Sequence, residues 1–310
     1  MKKPLPHISV IIPTMNRQRL LEKSLYSLKA LDYPKSFVEI IVIDNNSSDK
    51  TRELIQTKFP QVKIIHNTKN LGFAPALNQG ILASTKELIF ITNDDVVFEK
   101  KSLSELVKVM TQEEKIAIVG GKMLFSNNPS SMALQGFKVN KWLGYHPYDF
   151  SHKDLIREMD IATGGCMLLR KSIVKKIGLF DPDFFFCGED YDLCFRIKYA
   201  GYKIMYAPYA IIWHAFLNSG KKTNNFDQLF AHYRGKFRFM FIHGSLLQLF
   251  VFLPFQFFVG PIYSYLTSKQ LTLLPMTKAF FFNLRMVPSI VRARQKVSVL
   301  KQNGIIHKNV

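Results

Sequence analysis

The sequence predicts an α/β fold in which a mostly parallel sheet is flanked by helices, followed by a helical C-terminal region that associates with a membrane. Three observations lead to this prediction. Short β-branched runs alternate with amphipathic stretches through the first two thirds of the 310 residues, which is typical of a parallel α/β sheet. Polar clusters directly follow several of these runs. The last third is basic, apolar and rich in phenylalanine.

Composition limits the class of protein. A hydrophobic content of 47% in 310 residues excludes a mainly disordered chain and is enough to bury a full core. The cysteines Cys166, Cys187 and Cys194 are odd in number and lack the paired spacing of a zinc site, so a reducing cytoplasm is expected. The stretch from Met1 to Pro6 leads directly into a strand-like run without a signal-peptide core, so we expect a protein that is not secreted.

Four strands are predicted from runs of β-branched and other apolar residues. Ligands of such sheets bind beyond the carboxyl ends of the strands, so functional residues are expected directly after each run. The predicted strands are Ile8 to Ile12, Val38 to Ile43, Val62 to Ile65, and Leu88 to Thr92.

Helices are predicted between these strands from the spacing of apolar residues. The leucines between Leu20 and Leu28 lie at helical intervals, and a second helix over Leu54, Ile55 and Lys58 is expected to follow a cap at Ser48 or Asp49. Further along, a helix should open at Gly188-Glu189 and end near Gly201.

The C-terminal region is expected to contact a membrane. From Lys221 onward there are thirteen basic residues and one acid, and no charged residue occurs between Arg238 and Lys269. About twenty apolar residues can span a bilayer, so the length permits a crossing.

Two prolines and a glycine modify this expectation. Pro254, Gly260 and Pro261 argue against one straight helix, and aromatic residues with basic flanks favour the membrane interface. The sequence therefore predicts broken helices that lie in, or dip into, the membrane surface.

The cluster Asn93-Asp94-Asp95 follows a predicted apolar strand. Two half-buried carboxylates would repel each other, and a divalent cation such as Mg²⁺ or Mn²⁺ relieves this repulsion and can bridge to diphosphate oxygens. The alternative is a solvated cap in a turn, which is the commoner role of such a pair taken alone.

Asp44 ends another buried strand, where its carboxylate can accept hydrogen bonds from a nucleobase or ribose. The alternative is a local turn over Asp44 to Ser48. His214 also ends an apolar strand, and it is either a satisfied core histidine or a ligand that completes a cation site begun by Asp95.

Glu189 and Asp190 lie in the first turn of a predicted helix, where acids are favoured by the helix dipole whatever their function. The preceding Phe184 to Phe186 would supply an apolar wall that can raise the pKa of a carboxylate into the range of a general base. A base beside an acceptor pocket is therefore a second interpretation.

Five motifs follow one another in the sequence: Ile8 to Arg17, Glu39 to Thr51, Asn70 to Ala74 with Asn78 and Gly80, Gly164 to Arg170, and Gly188 to Cys194. In their order and spacing, over about residues 8 to 214, they resemble family 2 glycosyltransferases of the GT-A fold. The motif at Asn70 to Ala74 is similar to a segment of the rhamnosyltransferase-like branch of that family.

The resemblance implies a donor site and a metal site. Asp44 becomes the nucleobase contact, and Asn93-Asp94-Asp95 occupies the position of the family's DXD motif. Because the first member is Asn93, Asp95 is assigned as the direct ligand of Mg²⁺ or Mn²⁺, with His214 as a metal or diphosphate contact. The implied donor-binding residues are Pro13, Thr14, Arg17, Asp44, Asn70, Gly72, Asn78, Asn93 and Asp94.

By the same analogy Asp190 is the general base and Glu189 binds the acceptor. The implied reaction is a single displacement that inverts the anomeric configuration of a sugar carried by a nucleoside diphosphate, with dTDP-rhamnose or a UDP-sugar as donor. The Gln-x-x-Arg-Trp motif of processive synthases is absent from the sequence, which favours single addition. Selectivity for the sugar is expected in a loop over Lys122 to Arg157.

The expected acceptor is a polyprenyl-linked glycan of cell-surface polysaccharide synthesis, held at the anionic cytoplasmic face of the membrane by a peripheral or monotopic protein. Residues 1–220 would form the catalytic domain and residues 221–310 the membrane-associating region. A nucleic-acid-binding protein is an alternative suggested by the net charge of +19, but a long uncharged apolar segment does not suit a phosphate groove. A catalytically silent nucleotide-sugar scaffold is disfavoured by the presence of Asp95, Asp190 and His214.

Overall fold

The computed structural model describes residues 4–126, 128–134, 139, 140, 142, 154–215, 226–269 and 271–306. Within these residues, strands form one sheet that helices cover on both faces. The strands are β1 (Ile8–Thr14), β2 (Val38–Asp44), β3 (Lys63–His66), β4 (Leu88–Thr92), β5 (Val96–Phe98), β6 (Ile116–Phe125), β7 (Asn128–Leu134), β8 (Arg157–Glu158), β9 (Cys166–Arg170) and β10 (Lys203–His214).

The helices of the first two thirds alternate with the strands, and those of the last third follow one another. The helices are α1 (Gln18–Lys29), α2 (Thr51–Lys58), α3 (Phe73–Ala83), α4 (Ser102–Met110), α5 (Lys171–Ile177), α6 (Glu189–Tyr199), α7 (Phe226–His243), α8 (Leu246–Pro254), α9 (Gly260–Ser268), α10 (Leu273–Arg285) and α11 (Val287–Ile306).

The sheet has the strand order β3-β2-β1-β4-β9-β6-β10-β5, with β7 beside β6 and β8 beside β10. The first four strands are parallel, whereas β9 runs antiparallel between β4 and β6. All seven residues of β1 are buried, as expected of a central strand covered on both faces. The predicted α/β class is confirmed, and the complete sheet is mixed.

The predicted strands and helices of the first two thirds are all present, and their ends differ by one or two residues. The cap of α2 is one difference, because the helix begins at Thr51 and its cap residue is Lys50. Asp49 instead accepts hydrogen bonds from the Thr51 backbone N–H at 3.1 Å and the Thr51 hydroxyl at 2.6 Å. The helix α6 begins at Glu189 and is followed by Gly201 with φ of +83°, as the sequence predicted.

In the central part of the C-terminal region the α-helical pattern is interrupted between α8 and α9, near the prolines that predicted a break, although the chain stays helical. Residues Leu246–Thr267 form one continuous helical segment that is long and apolar enough to cross a membrane by length and composition. A π-helical turn, Phe255–Val259, lies between Pro254 and Pro261. Such a turn changes the backbone hydrogen-bond pattern where the prolines supply no N–H, so the helix continues through them.

The C-terminal helices share a hydrophobic core with the sheet region. One buried cluster contains Phe184 and Leu193 from the region before residue 215, together with Phe237 of α7 and Met276 of α10. The predicted boundary between residues 220 and 221 lies outside the described residues. Much of the predicted selectivity loop, including residues 143–153, also lies outside them.

Candidate active site

The carboxyl ends of β1 and β4 bring together four predicted site residues. The Thr14 hydroxyl donates to Asp94 Oδ2 at 2.7 Å, and Arg17 Nη1 lies 2.7 Å from Asp95 Oδ2 and 3.4 Å from Asp94 Oδ1. Because β1 and β4 are adjacent and parallel, residues that follow them meet at one edge of the sheet. Pro13 lies within β1 and pairs with Ile43 of β2. Its predicted role at the donor remains a prediction.

Both aspartates after β4 are buried, and their environments differ. Burial raises the pKa of Asp94 to about 6, and the Asp95 charge adds to this, while Arg17 and Thr14 oppose it. Asp95 Oδ1 is buried and accepts no hydrogen bond within the part of the chain that the structure describes. Arg17 contacts both carboxylates and Thr14 contacts Asp94, whereas Oδ1 of Asp95 keeps its capacity to bind a ligand.

His214 lies beside that oxygen. As the last residue of β10 it pairs with Val96, which directly follows Asp95, and its Nε2 is 3.4 Å from Asp95 Oδ1. Burial lowers the pKa of His214, and Arg17 lowers it further, against the opposing effect of Asp95. The neutral imidazole that this favours is the form that binds metal ions.

This pair fits a divalent cation by its chemistry. A carboxylate oxygen and an imidazole nitrogen suit Mn²⁺, whereas Mg²⁺ takes oxygen ligands by preference. No group of three or more histidine, cysteine or acidic side chains placed to hold a metal occurs among the described residues. Asp95 and His214 would therefore hold a cation only together with further ligands, such as diphosphate oxygens.

Asp44 is completely buried at the end of β2, and both of its oxygens have partners. Oδ1 accepts from the Ser47 backbone N–H at 2.8 Å, as the local-turn alternative predicted. Oδ2 lies 2.9 Å from His66 Nδ1 and 3.6 Å from Arg52 Nε. His66 was not predicted as a site residue, although it ends β3 as Asp44 ends β2. The nucleobase contact stays a prediction.

A buried amide network lies next to Asp44 and was also missed. Asn67 Nδ2 donates to Asn45 Oδ1 at 2.9 Å, and Asn67 and Gln79 exchange hydrogen bonds of 2.9 and 2.8 Å. Asn45 Nδ2 in turn donates to the Gly72 carbonyl at 3.1 Å. The network holds the residues that follow β2 and β3 against the start of α3.

The predicted donor residues after β3 hold a loop in place. Asn70 Oδ1 accepts from the Gly72 N–H at 2.9 Å, and Gly72 has φ of +92°. A Cβ at Gly72 would lie 2.5 Å from Phe185 Cδ2, so a larger residue would displace Phe185. Asn78 exchanges hydrogen bonds of 2.8 and 3.0 Å with the backbone of Phe180. Donor contacts by these three residues stay predictions.

The loop in front of α6 has an unusual backbone. Phe185 and Cys187 have φ of +60° and +67°, and Gly188 has φ of +95°. Left-handed conformations of non-glycine residues cost free energy and persist where surrounding contacts enforce them. Gly235 of α7 provides one such contact, because a Cβ there would overlap the Cys187 carbonyl.

This loop presents Glu189 and Asp190 at the first turn of α6. Asp190 Oδ2 accepts from the Gly164 N–H at 3.3 Å and Oδ1 from the Tyr191 N–H at 2.9 Å. Glu189 Oε2 is buried and has no hydrogen-bond partner among the described residues. Burial raises the pKa of both carboxyls, and the Asp190 charge raises that of Glu189 further.

The third acid of this turn has a different environment. Asp192 Oδ2 lies 2.8 Å from Arg196 Nη2, and Oδ1 lies 2.9 Å from His243 Nε2. Burial alone would raise the pKa of Asp192, but Arg196 and His243 hold it well below its usual range. Asp192 is thus a structural ion-pair partner and not a base.

A cavity of about 280 Å³ is lined by Asn93, which precedes Asp94 and Asp95, and by Glu189 and Asp190 of α6. Thr14, Arg17, Asp95 and His214 do not line it. Part of the remaining wall comes from α7, although the region that contains α7 was predicted only to contact the membrane. The α7 residues that line the cavity are His232, Gly235, Lys236 and Phe239.

Solved structures with the same arrangement of strands and helices are GT-A-type glycosyltransferases. The chain matches GalNAc-T7 with UDP, GalNAc and Mn²⁺ at a TM-score of 0.66, with 17% identity over 81% of this chain and 50% of that one. It matches the mannosyltransferase PcManGT of Pyrobaculum calidifontis, in complex with GDP-Man and Mn²⁺, at a TM-score of 0.59, with 16% identity over 97% and 88% of the chains. At this identity the likeness establishes the fold.

The sequence establishes the family. The model of glycosyl transferase family 2 matches residues 9–178, and the chain belongs to this family. It is 29% identical to the probable glycosyltransferase YdaM of Bacillus subtilis over 68% of this chain and 51% of that protein. It is 27% identical to the poly-beta-1,6-N-acetyl-D-glucosamine synthase of Staphylococcus epidermidis over 66% and 49% of the two chains. The chain therefore spans about half the length of these curated relatives.

Proposed function

We propose that the chain is an inverting glycosyltransferase that transfers a sugar from a nucleoside-diphosphate sugar to a polyprenyl-linked glycan during cell-surface polysaccharide synthesis. The observation that carries the proposal is the cavity shared by Asn93 and Asp190. Asn93 directly precedes Asp94 and Asp95 after β4, and Asp190 is a half-buried carboxylate with a raised pKa. A donor bound beside Asn93 and an acceptor bound beside Asp190 would meet in this cavity.

The donor end is proposed to bind the nucleoside diphosphate. Asp44 and the neighbouring amides would contact the nucleoside, and Thr14, Arg17 and Asp94 would contact the diphosphate. Asp95 and His214 would hold Mn²⁺ or Mg²⁺, which when bound stabilises negative charge on the leaving diphosphate. The donor we test first is dTDP-rhamnose, since Asn70 to Ala74 resembles the rhamnosyltransferase-like branch, and UDP-sugars follow.

The acceptor end is proposed to perform the proton transfer. Asp190 Oδ1 and Oδ2 are fixed by two backbone N–H groups, so the carboxylate is oriented before the acceptor arrives. Its raised pKa brings it nearer to the value at which a carboxylate is an effective base at neutral pH. As Asp190 takes the proton of the acceptor hydroxyl, that oxygen attacks the anomeric carbon opposite the diphosphate, which inverts the configuration. Glu189, beside it, would bind the acceptor.

The membrane contact is proposed for the segment Leu246–Thr267 and its neighbours. Side chains on this segment are strongly exposed, including Leu246 at 81%, Phe250 at 77% and Phe258 at 72%. Contiguous apolar surface of this kind is typical of protein or membrane contact sites. Lys269 lies shortly after the segment, and a basic residue contributes about 1 kcal/mol near an anionic leaflet. Residues 221–310 would then hold the catalytic region, residues 1–220, at the cytoplasmic face, as a peripheral or monotopic protein.

A panel of nucleotide sugars tests the donor. The full chain in neutral detergent is heated with dTDP-rhamnose, UDP-glucose, UDP-N-acetylglucosamine or GDP-mannose, each with Mn²⁺, Mg²⁺ or chelator, and the unfolding temperature is recorded. Stabilisation by one donor only in the presence of a cation is the expected result. The anomeric configuration of the product, determined by NMR, tests inversion. Cation-independent stabilisation by every nucleotide sugar, or a product with retained configuration, would contradict the proposal.

A further inference from the structure

The last residues of β3, β2 and β1 lie side by side at the carboxyl edge of the sheet. His66 is in register with Asp44, and Asp44 is in register with Thr14. The Thr14 hydroxyl donates to Asp94, which follows β4. Because neighbouring strands lie about 4.8 Å apart, the strand order places His66 roughly 14 Å from Asp94. A row of polar side chains therefore runs from β3, at the edge of the sheet, to the proposed cation site.

The β3 end of this row is the expected place of a nucleobase. The cation proposed at Asp95 would contact the diphosphate, so the nucleoside of the same ligand has to lie away from β4. Asp44 is completely buried at this end, and both of its oxygens have partners. His66 and Arg52 lie against it, with 34% and 50% of their side-chain surface exposed. A base that reaches this end would therefore meet these two side chains before Asp44.

Of these two side chains, His66 is the one that can accept a hydrogen bond, because Arg52 carries only donors. The Asp44 carboxylate only accepts, so His66 Nδ1, 2.9 Å from Asp44 Oδ2, carries the ring proton. In the neutral imidazole Nε2 is then an acceptor, and it has no hydrogen-bond partner within the described part of the chain. The Asn67 N–H donates to the Asp44 carbonyl at 2.9 Å, which fixes the backbone directly after His66.

We infer that His66 contacts the base of the donor, accepting the N3–H of uracil or thymine at Nε2 while Asp44 holds the imidazole ring. The inference rests on the proposed function in taking the ends of β2 and β3 as the nucleoside site. It deepens that function by naming the residue that selects the base and the class of base that it selects. Cytosine has an acceptor at N3, so two acceptors would face each other and neither would be satisfied.

Calorimetry on the full chain in neutral detergent with Mn²⁺ tests the inference. The probes are UDP, dTDP, CDP and GDP, which share the diphosphate and differ in the base. One hydrogen bond is worth roughly 3-fold to 10-fold in affinity. The parent should therefore bind UDP and dTDP more tightly than CDP by at least about 3-fold.

Two variants of His66 separate contact with the base from contact with Asp44. In His66→Asn the side-chain amide can still donate to Asp44, but no atom reaches the position of Nε2. This variant should bind UDP as weakly as CDP, with the affinity for CDP unchanged. His66→Gln is longer and its Oε1 can accept the N3–H, so it should regain part of the difference. The matched control is His7→Gln, because His7 is exposed, stacks on Phe37 and precedes β1 at the amino end of the sheet; it should behave as the parent does.

The outcomes separate the inference from the proposed function. A parental ratio of UDP to CDP affinity in His66→Asn would overturn the inference, as would equal losses of UDP and CDP binding, which indicate a structural role. A parent that binds CDP as tightly as UDP would overturn it too. Mn²⁺-dependent binding of GDP alone would overturn the inference and leave the glycosyltransferase proposal standing, whereas a parent that binds none of the four nucleotides would overturn both.

Discussion

Asp192 and His243 are joined by a hydrogen bond of 2.9 Å between Oδ1 and Nε2, with both side chains buried. Asp192 belongs to α6, the helix that begins with Glu189 and Asp190, and His243 is the last residue of α7. Arg196 completes the cluster by pairing with Asp192. A similar contact lies nearby, where Arg238 of α7 lies 2.7 Å from Asp181. The Asp192–His243 hydrogen bond therefore fixes α6 to α7, and the Arg238–Asp181 ion pair fixes α7 to the segment before α6.

Replacing Asp192 should reduce stability strongly. Asp192→Asn leaves Arg196 buried without its anion, and breaking a buried pair typically costs about 3–5 kcal/mol. The free energy of unfolding, measured by denaturant titration at pH 7, gives the loss. The control is Glu113→Gln, which removes an exposed pair with Lys203 and should cost less than about 1 kcal/mol. Equal effects of the two variants would contradict the structural role of Asp192.

The same residue should impose a pH dependence. Because the folded-state pKa of Asp192 is depressed, its stabilisation is present above the ordinary aspartate value of about 3.9. It is lost as the pH falls through the folded value. The difference in unfolding free energy between parent and Asp192→Asn should therefore be constant from pH 7 to 5 and shrink below about pH 4. A difference that grows on acidification would show that the carboxylate is not held as an anion.

The sequence predicted which residues lie at the carboxyl ends of the strands, but it did not predict the role of α7, and both outcomes have physical reasons. Asp44, Asp95 and His214 each follow a buried strand, and parallel strands place such residues at one edge. Gly235 packs against Cys187 and His243 contacts Asp192, although the members of each pair are far apart in sequence. No local pattern indicates which face of the aromatic helix α7 makes these contacts. The strain at Phe185 and Cys187 likewise depends on tertiary contacts. From the sequence alone, a glycine that permits close packing, such as Gly235, could not be distinguished from any other glycine within a helix.

Gly235→Ala should lower turnover more than donor binding. The added Cβ would overlap the Cys187 carbonyl, so the loop that presents Glu189 and Asp190 must shift. Turnover and donor affinity are measured on the same preparation, with a loss of at least about 10-fold expected in turnover alone, since small misplacements at a reacting centre are costly. Gly260→Ala is the matched control, because its Cβ would meet the nearest atom only at 3.5 Å. Unchanged turnover in Gly235→Ala would show that the loop tolerates the shift.

If Asp95 binds the proposed cation, its replacement should remove the metal-dependent part of nucleotide binding. Asp95→Ala removes the carboxylate whose Oδ1 lies 3.4 Å from His214, so UDP binding in the presence of Mn²⁺ should fall to the level seen with chelator. Calorimetry with and without Mn²⁺ measures this, and circular dichroism confirms the fold. Glu22→Gln, at an exposed pair with Lys58, is the control. Equal Mn²⁺-dependent affinity in Asp95→Ala and the parent would refute the assignment of the ligand.

Membrane contact is best tested by substitution, because truncation after residue 225 would also delete His243 and Arg238 and the buried contacts that they make. The triple variant Phe250→Ser, Phe258→Ser and Ile262→Ser alters only exposed positions. Flotation with anionic liposomes should fall sharply relative to the parent. A control with Tyr26→Ser and Leu82→Ser removes exposed apolar groups from the catalytic region and should float normally. Undiminished flotation of the triple variant would mean that the contact lies elsewhere.

Asp190→Asn separates catalysis from binding at one functional group. The amide keeps the shape of the side chain and lacks the basicity needed to take the acceptor proton, and loss of a general base typically costs about 10² to 10⁴ in rate. Donor affinity should change little, because Asn93 is the one residue assigned to the donor that lines the cavity of Asp190.

Single-turnover transfer at saturating donor measures the effect, with donor affinity determined in parallel. Glu189→Gln should be milder if Glu189 only binds the acceptor. Near-parental turnover in Asp190→Asn would exclude Asp190 as the base. Asp192 could not replace it, since Arg196 and His243 occupy its oxygens. Glu189, whose Oε2 accepts no hydrogen bond within the described chain, would then be the candidate, and Glu189→Gln would show the larger loss.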